Sequence, residues 1–203
     1  MVIIIGEVEA TKIREFIEIQ IRKVKDKYMS DTNIEKDNLL FIVTGKSGVG
    51  KTTFINRLLN IGFSRPISFT TRAKRNDSDN EYIHVSEELI MQLYKRGDII
   101  NLDLCYGNYY GMSKKSIEEI FLKGKYPIKE IRYDNIKKLK DLYTCITILI
   151  KGEAERGERD DEVYDSLDES TFDIILYRED LNIMIDKFWD RVYNKYKIRV
   201  RKE

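Results

Sequence analysis

The rhythm of apolar and polar positions changes repeatedly along this chain, and each rhythm predicts an element. Leu39, Leu40, Phe41, Ile42 and Val43 form an unbroken apolar run, the pattern of a strand buried on both faces. Residues 2–5 form a shorter β-branched run and predict another strand. Over residues 10–29, Ile13, Phe16, Ile17, Ile21, Val24 and Tyr28 recur at three- and four-residue steps, the spacing of an amphipathic helix. Residues 30–38 are polar and read as a linker. After Lys51, Phe54, Leu58 and Leu59 share one side of a further helix.

Past Gly62 the pieces shorten. Residues 66–110 hold short strand-like segments, a very polar loop over 74–81 and one helix over 87–96. A helix over 113–123 is closed by Gly124. Strands over 126–131 and 144–150 flank a short helix near 135–142. Residues 151–169 are dense in charge. A strand over 174–177 then precedes a final helix over 180–196, whose Leu181, Met184, Phe188, Val192 and Tyr196 face the core. Strand–helix alternation of this kind predicts an α/β fold, a parallel sheet with helices on both faces. There is no internal repeat and no low-complexity segment.

Composition narrows the picture. The 203 residues suit one α/β domain with an appendage. Lys and Arg number 36 against 35 Asp and Glu, a net charge of +1, so there is no global electrostatic argument for nucleic acid or membrane. No apolar run has the length of a membrane-spanning helix. Residues 1–6 lack a charged leader and a small-residue cleavage site, so no signal peptide is expected. Cys105 and Cys145 lie in apolar runs without CxxC spacing and read as buried, reduced thiols of a cytoplasmic protein. A structural metal is not expected, His84 being the one histidine.

The chemistry begins where the first long apolar run ends. Gly45-Lys46-Ser47-Gly48-Val49-Gly50-Lys51-Thr52 has the form G-x-x-x-x-G-K-T, between a predicted strand and a predicted helix. That is the phosphate-binding P-loop in its required context. Gly45 and Gly50 let the backbone turn tightly and approach a polyphosphate. The loop N–H groups and the positive end of the helix face the anion. Lys51 reaches the outer phosphates, and the Thr52 hydroxyl suits Mg²⁺. The pattern points to a polyphosphate with Mg²⁺. A second phosphate needs a second cationic site facing this loop. Arg72 and Arg75 are three apart and can each fork onto phosphate oxygens, with Tyr82 and Tyr110 as hydroxyl donors and Ser68 able to bond a base edge. The competing reading of Arg72 and Arg75 is a solvated basic turn, since Lys74 lies between them.

With the P-loop before it, and Tyr82-Ile83-His84-Val85-Ser86 and Gly107-Asn108-Tyr109-Tyr110-Gly111 after it, the segment Ser68-Phe69-Thr70-Thr71-Arg72-Ala73-Lys74-Arg75 resembles guanylate kinase. The resemblance covers about residues 39–173 well and the last helix more loosely; residues 1–38 stand outside it. It implies a P-loop kinase with a small β-rich acceptor-binding subdomain over 66–112 and a reduced lid over 151–170. The implied activity is transfer of the ATP γ-phosphoryl group to GMP or a related (d)NMP, with Mg²⁺. By the resemblance, Ser68, Arg72, Arg75, Tyr82, Asn101, Asp103, Tyr110 and Glu130 bind the acceptor. Thr52 and Glu130 hold the metal, and Lys51, Arg72, Arg156 and Arg159 carry catalysis.

The departures are informative. Asn101 stands where the family has a glutamate that accepts twice from guanine, and an amide has one acceptor oxygen. Asp103, two residues on, is expected on the same strand face as a substitute. Met112 replaces a base-reading Ser or Thr. Arg132 replaces the second carboxylate of the strand that contains Glu130, where a cation opposes metal binding unless it contacts phosphate. The lid keeps Arg156 and Arg159 but is acidic beyond them, and an ion-pair network is the competing reading of those two. These changes keep two other readings open: a non-catalytic guanylate-kinase-like binding module, and a kinase of another phosphorylated small molecule. The helix over 10–29 has three readings of its own, packing on the core, a homodimer contact or a protein partner. The basic end over 195–202 reads as a solvated tail.

Overall fold

Phe41 and its neighbours explain the architecture. Leu39–Thr44 is strand β1, buried at every position. Both of its edges are taken by parallel partners. Strand β7 (Tyr126–Glu130) sets Ile128 against Phe41 and Glu130 against Val43, and β8 (Thr144–Lys151) sets Thr144 against Leu39 and Leu149 against Thr44. Strands β2 (Phe63–Ser64) and β9 (Ile174–Tyr177) complete a five-stranded parallel sheet in the order β2-β7-β1-β8-β9. This is a computed structural model that describes residues 38–59, 61–76, 81–153 and 161–196. The strand and helix expected over 2–5 and 10–29, together with Arg156 and Arg159, lie outside the described residues. Residues 36–189 form one compact unit, described below.

Because side chains alternate along a strand, β1 feeds two cores. Phe41 points to one face, where it meets Phe63 edge-on at 4.9 Å and Phe188 at 6.2 Å. Phe188 belongs to helix α6 (Leu181–Tyr196) and packs edge-on against Phe54 of helix α1 (Lys51–Leu58) at 5.5 Å. Such edge-to-face pairs contribute about 0.5–1.5 kcal/mol each beyond their burial. Leu40 and Ile42 serve the other core, with Ile117 of α3 (Lys114–Leu122) and Ile136 and Leu139 of α4 (Ile136–Lys140). The sheet therefore has helices on both faces, as the alternation predicts.

A second sheet, in the order β4-β3-β6-β5, is built from β3 (Ser68–Thr70), β4 (Ile83–His84), β5 (Ile99–Cys105) and β6 (Asn108–Ser113). Helix α2 (Glu87–Lys95) lies between β4 and β5 in sequence and starts at Ser86, whose hydroxyl accepts from the Leu89 N–H at 3.3 Å. The helix expected near 135–142 is shorter. A 3-10 turn at Tyr133–Asn135 takes up its beginning, and α4 ends at Lys140. Cys105 and Cys145 are free but only half-buried, less enclosed than their apolar neighbours suggest.

Candidate active site

The chain leaves β1 at Thr44 and turns through residues 45–50 into α1. Gly45 has φ +146°, and a Cβ built there falls inside 3.0 Å of the Ile150 carbonyl oxygen, so β8 leaves no room for a side chain. Gly50 has φ +102°, and its added Cβ would meet nothing within 4 Å. Lys51 folds back into the loop: Nζ donates to the carbonyls of Gly45 (2.7 Å) and Lys46 (2.6 Å) and lies 3.3 Å from Glu130 Oε1. Thr52 Oγ1 donates to Glu130 Oε2 at 3.3 Å. Ser47 and Gly48 are exposed at the loop's tip, whereas Val49 is buried beneath it. Helix α5 (Asp161–Asp165) touches the loop, with Asp165 pairing with Lys46 at 2.8 Å and the Tyr164 hydroxyl 3.3 Å from Thr44 Oγ1. Arg178 donates to the carbonyls of Glu153 (2.9 Å) and Gly48 (3.4 Å). Sequence reasoning missed these three props; only the charge density of 151–169 hinted at the first two.

The T-T-R segment acts through its threonines. Thr70 Oγ1 accepts from the Arg72 N–H at 3.1 Å and Thr71 Oγ1 from the Tyr109 N–H at 2.9 Å, fixing the turn that projects Arg72. His84 Nδ1 lies 2.6 Å from the Arg72 carbonyl oxygen. A carbonyl only accepts, so that nitrogen carries the proton. The Arg72 guanidinium carbon is 5.9 Å from the Tyr82 ring centroid, and Tyr110 meets Tyr82 edge-on at 5.6 Å. Burial first, then the charges of Glu81 and Glu130, push the Tyr82 hydroxyl well above its ordinary pKa, so it stays a hydrogen-bond donor at neutral pH. Arg75 is exposed in the turn beyond.

Around Asn101 the structure departs from the sequence expectation. Asn101 has φ +53°, a left-handed conformation that asparagine tolerates better than most residues. The ladder between β5 and β6 shifts register between Ile100 and Asp103. Strict alternation therefore breaks at Asn101, and the argument that Asp103 shares its face does not hold; Asp103 sits opposite Tyr110 instead. Asn101 Oδ1 is buried without a hydrogen-bond partner. Ser68 is buried and its hydroxyl donates to the Pro66 carbonyl at 3.4 Å, which leaves it an acceptor toward any ligand. Met112 is buried in the core cluster with Ile100 and Ile117. Arg132 donates to Cys105 Sγ at 3.4 Å and pairs with Asp134 at 3.2 Å.

One residue that the sequence reading passed over sits between the two halves. Lys129, on β7, is 4% exposed. Its Nζ has no hydrogen-bond partner, lies 3.8 Å from Glu81 Oε1 and stands 4.5 Å from the Tyr82 ring centroid. Burial pulls its pKa down to about 8. A lysine directly after the buried Tyr126-Pro127-Ile128 run of β7 was the available signal.

Oxygen atoms of Thr52 and Glu130 converge, a hard donor pair that fits Mg²⁺, which takes one or two protein oxygens and completes its shell with water and phosphate. Among the described residues no cluster of three His, Cys, Asp or Glu could hold a metal unaided. No helix among them is long and apolar enough to cross a membrane.

Comparison with known proteins gives this geometry relatives. The family model described as guanylate kinase matches residues 37–191. A guanylate kinase of Chlamydia felis is 27% identical over 165 residues, covering 70% of this chain and 81% of that protein. One from Chlamydia caviae is 31% identical over 121 residues, so the chain spans 59% of that relative's length. One from Clostridium tetani is 35% identical over 108 residues, 52% of each chain. The crystal structure of guanylate kinase from Anaplasma phagocytophilum superimposes with a TM-score of 0.64 at 22% identity, covering 77% of this chain and 85% of that one, a likeness of fold. A match to the family model over three quarters of the chain places this chain in the guanylate kinase family.

Proposed function

We propose that the protein is an ATP-dependent nucleoside-monophosphate kinase whose acceptor is GMP or a close relative, and that it works in the cytoplasm. The observation that carries this reading is the position of Glu130. One of its oxygens faces the Lys51 ammonium and the other the Thr52 hydroxyl, while its charge is felt at Tyr82. The loop read as a polyphosphate site and the cluster read as a second phosphate site thus meet at one carboxylate, which supports the reading.

In this reading ATP lies on residues 45–52. Lys51 leaves its two carbonyl partners for the outer phosphates. Arg72, Arg75, Tyr82 and Tyr110 hold the acceptor phosphate, one oxygen of which attacks the γ-phosphorus as the bond to the β,γ-bridging oxygen breaks, giving ADP and a nucleoside diphosphate. Mg²⁺, held through Thr52 and Glu130, would neutralise phosphate charge. The protein's work is positioning and charge stabilisation, without a covalent intermediate. By the family resemblance, Arg156 and Arg159, outside the described residues, would add positive charge over the transferring phosphoryl group. At the base, Asn101 Oδ1 accepts one guanine N–H and the Ser68 hydroxyl is a further acceptor; a buried acceptor left unpaired disfavours bases without a matching donor.

The test is ADP release from ATP·Mg²⁺ across a panel of NMPs and dNMPs, with Lys51→Ala as the control. Turnover that depends on both acceptor and Lys51, and that is highest with GMP or dGMP, is expected. ATP binding without turnover on any member of the panel would refute the reading.

A further inference from the structure

We propose that Lys129 is a direct ligand of the acceptor's phosphate, reaching it from the central sheet while Arg72 and Arg75 reach it from the turn after β3. The inference rests on the kinase reading above and adds a residue to it.

The position is costly for a cation. Lys129 lies in register with the buried Ile42 of β1, and its side chain is 5% exposed. An ammonium taken out of water needs both charge and hydrogen bonds in return. Lys129 has three N–H donors and no acceptor for any of them. Its nearest carboxylate oxygen, Glu81 Oε1 at 3.8 Å, is beyond hydrogen-bonding range and already accepts from Arg65 Nη1 at 2.8 Å. Arg65 and Lys129 thus share one carboxylate, and the trio carries one excess positive charge.

The direction is as telling as the cost. The Lys129 ammonium stands over the ring of Tyr82, the same ring that Arg72 approaches and Tyr110 abuts. Those three are the groups assigned to the acceptor phosphate. A phosphate monoester dianion placed among them supplies what Lys129 lacks, several acceptor oxygens and negative charge. A lysine kept only to brace Glu81 would sit within hydrogen-bonding distance of it.

The experiment uses the full chain and compares wild type with Lys129→Met, a near-isosteric uncharged replacement. Lys129→Gln is the second variant should the first be insoluble. Steady-state kinetics give KM for GMP and for ATP, calorimetry gives the GMP Kd without turnover, and thermal unfolding reports the fold. The expected result is a GMP KM and Kd raised about tenfold or more, the value of one charge-assisted contact, with the ATP KM within twofold and a Tm no lower than wild type. A GMP Kd within twofold of wild type overturns the proposal, as does a lowered Tm with both KM values raised alike, the mark of a bracing role. Wild-type protein that neither binds GMP nor turns it over would instead defeat the kinase reading beneath it.

Discussion

Replacing Gly45 and Gly50 with alanine, one at a time, separates fold from function in the P-loop. Both glycines have positive φ, +146° and +102°, so each alanine carries a backbone penalty of roughly 1–2 kcal/mol. Their surroundings differ. At Gly45 the new methyl falls inside 3.0 Å of the Ile150 carbonyl oxygen and 3.2 Å from Val49 Cγ1. Ile150 is buried in β8 and cannot retreat without disturbing the β1–β8 ladder. Relief of that overlap adds about 1–3 kcal/mol, the usual range for overpacking. The total is about 2–5 kcal/mol, which in a chain of this size lowers Tm by roughly 5–20 °C. At Gly50 only the backbone term applies, about 2–8 °C. The open space beside Gly50, however, is where the bound polyphosphate is expected. Gly45→Ala should therefore lose mainly stability and Gly50→Ala mainly ATP affinity. Differential scanning calorimetry with ATP titration reads both. Equal Tm losses, or a Gly50→Ala protein that binds ATP as wild type does, would refute the reasoning.

Lys51→Ala should keep a near-native Tm yet reduce turnover by a factor on the order of 10³ or more, because charge stabilisation is the main catalytic device of the proposed reaction; coupled ADP detection checks it. Asn101→Ala removes the unpartnered buried oxygen and should weaken GMP binding about tenfold, with a smaller effect on ATP, by calorimetry. The depressed pKa of Lys129 has a sign that can be tested. Between about 8 and the ordinary lysine value the unfolded chain holds a proton that the folded chain has released. Stability from this group therefore rises with pH across that window, on the order of 2–3 kcal/mol in total. The Tm of wild type relative to Lys129→Met should increase from pH 8 to 10; a constant difference would mean that the ammonium is well solvated. Cys145, whose pKa burial raises to about 11, should resist alkylation by iodoacetamide at pH 8 in the native state and react once the protein is unfolded, as mass spectrometry would show.

Much of the frame was legible because it rests on local signals. The run from Leu39 to Val43 has one explanation, a strand with neighbours on both edges and helices on both faces, and β1 has both. The G-x-x-x-x-G-K-T spacing is likewise local, and the strand–loop–helix it announces is there, with Lys51 and Thr52 both beside Glu130. What failed to read through depends on long-range geometry. Asp103 was expected beside Asn101 because strands alternate, but a register shift tied to the left-handed Asn101 breaks the alternation, and nothing in the residues around it announces a bulge. Lys129 was passed over because a single lysine in a strand reads as an edge or surface residue. Only the pairing of β7 with β1 and β2 shows that it is interior. The contacts of Tyr164 and Asp165 with the loop join positions more than a hundred residues apart, beyond the reach of any periodicity.

The parallel pairing of β1 also shapes how the chain comes off the ribosome. Phe41 waits for Ile128, and Leu39 for Thr144, so the partners of the first central strand are synthesised about 90–100 residues later. At roughly 5–20 residues per second that is a delay of about 5–20 s. Throughout it, Leu-Leu-Phe-Ile-Val, apolar, rich in strand formers and free of charge, stands bare in a nascent chain, the kind of segment that seeds intermolecular pairing. The strand that leads into the P-loop is thus also a place where newborn chains are exposed to aggregation and where a chaperone has something to shield.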